Sequence, residues 1–256
     1  MNISRILKSF AVMAVAFVWG TGICFCQITA GQPPPDFTLQ DIEGKDHHLA
    51  SLKSKAMSIL YFFDVESRPS QEGLLYLNKM IRQYSDADLV IWGITLSDKE
   101  KISRFARDLK VDIPLLQDTS GVSDLYQARL ILPSVCILGP GLTVLDYFQG
   151  GGKTTEIMLV RLAERQLQRK NTLFAKALSE EVEKKDPENV QAKTVKGYAA
   201  LQGGEYDKAE EVFQALSQQD NKGKILGKEG LAAVYAKIGK TEKALEIARQ
   251  VEQEAP

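Results

Sequence analysis

Ser58-Ile59-Leu60-Tyr61-Phe62-Phe63 runs straight into Asp64-Val65-Glu66-Ser67-Arg68-Pro69-Ser70. The first six residues form a continuous apolar run rich in aromatics, as a strand buried on both faces requires. Beyond Ser70 the period changes. Residues 71–84 carry Leu74, Leu75, Leu77, Met80 and Ile81 at helical spacing, so a helix begins near Ser70. Working outward, 89–96 reads as a second buried strand. Residues 99–109 read as an amphipathic helix with Ile102, Phe105, Ala106 and Leu109 on one face. Residues 135–138 and 142–148 read as a hairpin turning at Gly139-Pro140-Gly141. Strand–helix–strand order closed by a hairpin predicts an α/β sheet of mixed direction flanked by helices.

After Gly152 the strand signal stops. Ala, Glu, Lys and Leu dominate, and proline recurs only at Pro187 and Pro256. The segment Gly204-Glu205-Tyr206-Asp207-Lys208-Ala209-Glu210 is echoed by Gly239-Lys240-Thr241-Glu242-Lys243-Ala244-Leu245. A period near ~34 residues marks a repeated helical hairpin. Asp186-Pro187-Glu188-Asn189 supplies a helix start between hairpins. The expected organisation is a leader over 1–30, an α/β unit over 31–152, a connecting helix or degenerate repeat over 153–188, and two repeats over 189–256.

The chain of 256 residues carries 32 Lys and Arg against 33 Asp and Glu, a net charge of −1. Without a basic block, nucleic acid is not the expected partner. Three cysteines make neither a disulfide scaffold nor a four-ligand zinc site, and no metal or cofactor is expected. At the start, Arg5 and Lys8 precede an apolar run over 10–26, the layout of a secretory signal or of an anchor over 9–28. Cys24 and Cys26 admit lipidation as a third outcome. All three place the rest of the chain outside the cytoplasm, in the periplasm, with membrane contact only through this segment.

Pro35-Asp36-Phe37-Thr38-Leu39, Asp41-Ile42-Glu43-Gly44-Lys45, Asp112-Ile113-Pro114-Leu115-Leu116-Gln117-Asp118 and Leu132-Pro133-Ser134-Val135 follow in that order. Together they resemble the extracytoplasmic redoxins of the thioredoxin-like superfamily, related to the alkyl hydroperoxide reductase and thiol-specific antioxidant group. The resemblance implies a thioredoxin-like fold and a cis-proline at Pro133. It also implies a Cys-x-Pro-Cys site after the buried strand, and there this chain has Ser67-Arg68-Pro69-Ser70, with Glu66 in place of the usual tryptophan. Thiol–disulfide exchange needs a thiolate to attack and a second thiol to resolve. Serine hydroxyls do neither, so Ser67, Arg68, Pro69, Ser70 and Pro133 are expected to be a vestigial redox site without catalytic residues. The tail resembles tetratricopeptide repeats through Gly197, Gly204, Tyr206, Ala209 and Phe213, then Leu231, Tyr235, Gly239, Ala244 and Pro256.

Other chemistry is weaker. Cys136 in an apolar strand reads as a small core residue. His47 and His48 are adjacent on a strand, so they face opposite ways and make no base–nucleophile pair with Ser67. Asp64 and Glu66 read as groups favouring a helix N-terminus rather than as an acid–base pair. Gly150-Gly151-Gly152-Lys153-Thr154 ends like a phosphate loop, but Tyr147 stands where its first glycine belongs, leaving a joint. The function expected is therefore binding: a protein or peptide partner held by the thioredoxin-like surface and the helical tail. The alternative is a role in extracytoplasmic thiol or peroxide metabolism beside a redox-active partner.

Overall fold

The computed structural model describes residues 28–84, 88–150, 153–219 and 221–254. Residues 1–27 of the expected leader, with Cys24 and Cys26, lie outside them, as do Gly151, Gly152 and Pro256.

Seven strands build one sheet: β1 (Thr38–Asp41), β2 (Asp46–His48), β3 (Met57–Phe62), β4 (Leu89–Thr95), β5 (Leu115–Gln117), β6 (Ser134–Leu138) and β7 (Val144–Gln149). Their spatial order is β2-β1-β5-β4-β3-β6-β7. Strand β3 runs parallel to β4 and antiparallel to β6, which makes the sheet mixed. Every residue of β3 is buried because strand parity sends its side chains to two separate cores. Met57, Ile59 and Tyr61 join the core under helices α1 (Arg68–Gln83) and α2 (Lys99–Leu109). Leu60 and Phe62 join the other, with Trp92, Tyr126 and Leu138.

Two boundaries differ from the sequence expectation. Helix α1 starts at Arg68, since Pro69 is tolerated in a first turn, where its missing N–H has no partner to lose. Strand β7 starts at Val144, because Leu142 sits at φ 64 in a tight turn over 140–142. The short helix α3 (Val122–Leu125) hangs on Asp118, whose carboxylate accepts the backbone N–H groups of Ser120, Gly121, Val122 and Ser123.

Six more helices follow in three hairpins: α4 (Thr154–Gln168) with α5 (Thr172–Lys185), α6 (Val190–Gln202) with α7 (Tyr206–Ser217), and α8 (Asn221–Lys237) with α9 (Thr241–Glu254). Their turns repeat bond for bond. Lys170, Gly204 and Gly239 each take a positive φ. The next residue's amide reaches back five residues, from Asn171 to Gln166 (2.9 Å), Glu205 to Ala200 (2.9 Å) and Lys240 to Tyr235 (2.8 Å). This is the left-handed helix ending that glycine favours, with lysine accepting it once. Ala175, Ala209 and Ala244 then pack at equivalent buried places.

The first hairpin does not stand apart from the sheet. Met158, Leu159 and Leu162 of α4, with Phe174 and Leu178 of α5, belong to the core that holds Ile59 and Tyr61. Phe174 stacks on Tyr84 at 4.4 Å between ring centroids, and Lys79 faces Glu181 at 3.6 Å. The helical tail therefore begins inside the α/β unit.

Candidate functional site

The site grows from the C-terminal end of β3. Phe63 still pairs through its amide with Ile94 (2.9 Å), and then the chain turns. Asp64 closes the turn twice: its carbonyl accepts the Ser67 amide (3.2 Å) and its carboxylate accepts the Glu66 amide (2.9 Å). Ser67 is the N-cap of α1, in extended backbone, and its carbonyl accepts the Gln71 amide (2.9 Å). Its hydroxyl caps nothing, and the Gln71 side chain instead ties the turn by donating to the Val65 carbonyl (2.6 Å). Arg68 points outward and pairs with Glu72 (2.9 Å).

Ser70 lies at the other end of the four-residue stretch and is fully buried. Its hydroxyl oxygen has no hydrogen-bond partner among the described residues. Its carbonyl accepts the buried Tyr61 hydroxyl from below (3.0 Å). Burial holds that phenol well above its ordinary pKa, so it stays a donor. The helix can approach so closely only because position 73 is glycine. A Cβ there would stand 2.1 Å from the Tyr61 oxygen and 3.1 Å from Oγ1 of Thr155 on α4. Glu66, beside the cap, bonds Lys101 of α2 (3.0 Å) and raises the Lys101 pKa.

Pro133 reaches the same end of the sheet from the other side. The register pairs Phe62 with Ser134, so Pro133 lies just past the end of β3, and the Leu132–Pro133 bond is cis. Its carbonyl accepts the Gly150 amide (2.9 Å). The fold thus brings Ser67, Arg68, Pro69, Ser70 and Pro133 together at one sheet end. The remaining candidates stay apart. His47 and Asp41 are 2.7 Å apart, with the His47 ring edge-on to Trp92, while His48 pairs with Thr38 (2.8 Å). Among the described residues no side chain hydrogen-bonds to the Ser67 hydroxyl. Cys136 is fully buried opposite Leu60, and burial together with the Asp146 charge pushes its thiol up to about 12. Lys153 faces Asp186 at 4.0 Å. Among the described residues no group of three His, Cys, Asp or Glu side chains is placed to hold a metal ion.

Sequence reasoning missed Tyr61, Gly73 and Thr155, which fix the height of α1 over the sheet. A glycine inside a strongly periodic helix was the one available signal.

The α/β part of the chain is similar to known proteins. Residues 30–146 match the AhpC/TSA family. The chloroplastic peroxiredoxin Q of Triticum aestivum is 29% identical over 99 residues, covering 38% of this chain and 45% of that protein. The thiol-disulfide oxidoreductase ResA of Geobacillus thermodenitrificans is 25% identical over 92 residues, covering 36% and 52%. The chain therefore spans about half the length of these curated relatives. The crystal structure of peroxidoxin BcpB from Mycobacterium tuberculosis aligns with a TM-score of 0.44 at 21% identity, over 48% of this chain and 87% of that one. Residues 30–146 are thus similar to the AhpC/TSA redoxins, and the chain shares part of its length with peroxiredoxin Q and with thiol-disulfide oxidoreductases. Among the described residues no helix is long and apolar enough to cross a membrane.

Proposed function

We propose that this chain is an exported redoxin that has given up thiol chemistry and works as a binding module for a protein or peptide partner. One observation carries this reading. The N-terminal turn of α1, which a redoxin uses to activate a thiolate, holds Ser67 and Ser70, and the described cysteine, Cys136, is sealed in the core with a raised pKa. A thiol must be both deprotonated and reachable to attack a disulfide or a peroxide, and Cys136 is neither. The Pro133 loop beside the cap keeps a surface on which an extended segment can lie, with Leu130 and Ile131 open to solvent. The three helical hairpins, read as tetratricopeptide-type repeats, add a second binding surface. Basic residues before the apolar run at the N-terminus support translocation.

The names of the relatives favour a second reading, in which the protein serves thiol or peroxide metabolism by holding a substrate for a redox-active partner. Insulin reduction with dithiothreitol, and peroxide consumption with a thioredoxin system, separate chemistry from binding. No turnover above the buffer rate is expected in either. Turnover that survives Cys136→Ser would sink the thiol-free reading.

A further inference from the structure

The turns of the first two helical hairpins and the end of α8 meet around a cavity of about 700 Å³. Lys170 and Thr172 come from the first turn, Leu201 and Tyr206 flank the second, and Lys237 closes α8. Thr172 is seated against the second turn, its Oγ1 3.8 Å from the place of a Cβ on Gly203. The wall carries charge of one sign. Among the described residues it holds two lysines and no carboxylate. Neither the Lys170 nor the Lys237 ammonium pairs with any described residue. Elsewhere in the tail Lys176, Lys184, Lys193, Lys196, Lys224 and Lys228 each face a glutamate. Glu205, beside Tyr206, is taken by Lys176 (3.5 Å) and Lys208, and neither it nor Asp207 lines the cavity. The hydroxyls of Thr172 and Tyr206 also have no hydrogen-bond partner among the described residues. Lys170 further stands at φ 62, where the other two turns carry Gly204 and Gly239. Lysine adopts that conformation at a cost glycine escapes, and no side-chain bond within the described chain offsets it.

We infer that this cavity is a binding site for a small organic phosphate, held as a dianion between Lys170 and Lys237. Two lysines without counter-ions on one wall call for two negative charges in one group. A phosphomonoester carries about 1.5–2 of them at neutral pH, with three acceptor oxygens. The Thr172 and Tyr206 hydroxyls supply further donors. Leu201 and the Tyr206 ring give the organic part an apolar wall. The volume of about 700 Å³ exceeds what a bare phosphate fills and lies within the ~300–1,000 Å³ of small-molecule sites. The site uses neither a thiol nor the Pro133 loop, so it stands independently of the peptide-binding reading.

The test uses the full chain in phosphate-free buffer, with phenyl phosphate as probe and inorganic phosphate and phenyl sulfate as controls. Phenyl sulfate offers the same ring with a single charge. Calorimetry should show one phenyl phosphate per chain, bound more tightly than either control. Lys170→Gly and Lys237→Gln should each weaken it about 3–5-fold, the loss of one exposed charge pair, and the double variant about 10-fold or more. Lys170→Gly installs the residue that the other two turns carry, so its melting temperature should match or exceed the parent's. A lost cation is then not confused with a folding defect. Lys53→Gln, at an exposed lysine outside the tail, should bind as the parent does, which separates the site from net charge. A parent that binds no phenyl phosphate, or tail variants that bind it as the parent does, would overturn the site. Phenyl sulfate bound equally well would overturn the dianion, and inorganic phosphate bound equally well would overturn the organic ligand.

Discussion

Gly73→Ala is the most direct probe of how α1 is seated. In an open helix this change stabilises by about 1 kcal/mol, because alanine is the better helix former. Here the added methyl meets the Tyr61 hydroxyl at 2.1 Å and its ring carbon Cζ at 3.0 Å, with Oγ1 of Thr155 at 3.1 Å. Tyr61 is a fully buried aromatic on a central strand and cannot swing away. Overpacking of this kind costs typically 1–3 kcal/mol. Against the propensity gain, a net loss of up to about 2 kcal/mol is expected, or up to roughly 8 °C in melting temperature for a domain of this size. Tyr61→Phe alone forfeits the hydrogen bond to the Ser70 carbonyl, worth about 1 kcal/mol. The double variant removes the clashing oxygen, so its loss should fall clearly short of the sum of the two single losses. Urea unfolding in a Trp19→Phe background reads this through Trp92, buried in the opposite core. A Gly73→Ala chain more stable than the parent, or strictly additive losses, would refute the close seating of α1 on Tyr61.

Three further outcomes follow from the same structure. Asp118→Ala should cost about 2–4 kcal/mol by leaving four amides without their acceptor, three of them in or beside α3. Burial acts to raise the Asp118 pKa, but the Ser123 and neighbouring hydrogen bonds outweigh it and hold the carboxyl below its usual range. Its contribution is therefore complete above the unfolded value of about 3.9 and is lost as pH falls through the folded one, so Asp118→Asn should flatten stability between pH 5 and 2. Cys136 should resist an aromatic disulfide reagent at pH 8 in the folded protein and react fully in denaturant; rapid labelling of the native chain would contradict its burial. Ser67→Cys with Ser70→Cys, in a Cys136→Ser background, should form an internal disulfide on oxidation, since residues three apart across a helix start fall within the ~4.4–6.8 Å Cα range for a bridge. Two free thiols after oxidation, counted by mass, would show that this turn no longer has redoxin geometry.

The α/β fold was readable because each central element had one dominant signal. The aromatic run of β3, the leucine stripe of α1 and the hairpin at Gly139-Pro140-Gly141 each admit one structure. The strands β1 and β5 were not placed by periodicity. At four and three residues, they are shorter than any window that shows alternation, and tertiary pairing defines them. At the site, Ser67, Pro69 and Pro133 were singled out because the order of motifs points to them, and the fold brings them to one sheet end. The partners that seat them were not, since Tyr61 reads as one more core aromatic and Thr155 as one more helix residue. Contact between residues 73 and 155 leaves no local trace. The first helical hairpin was half legible for a related reason. Its turn carries Lys170 where the others carry glycine, so α4 lost the marker that made Gly204 and Gly239 visible.

The sharing of one core by the sheet and α4–α5 sets the order in which this protein can be made. The last strand ends at Gln149, yet the core over Ile59 and Tyr61 is not closed until Phe174, Leu178 and Val182 have been synthesised. At about 5–20 residues per second the ribosome needs roughly 2–7 s to supply those thirty or so residues. Throughout that interval the nascent sheet has its strands but an open apolar flank beside Tyr84. A nascent chain that exposes this flank is a client for any factor that guards hydrophobic surface.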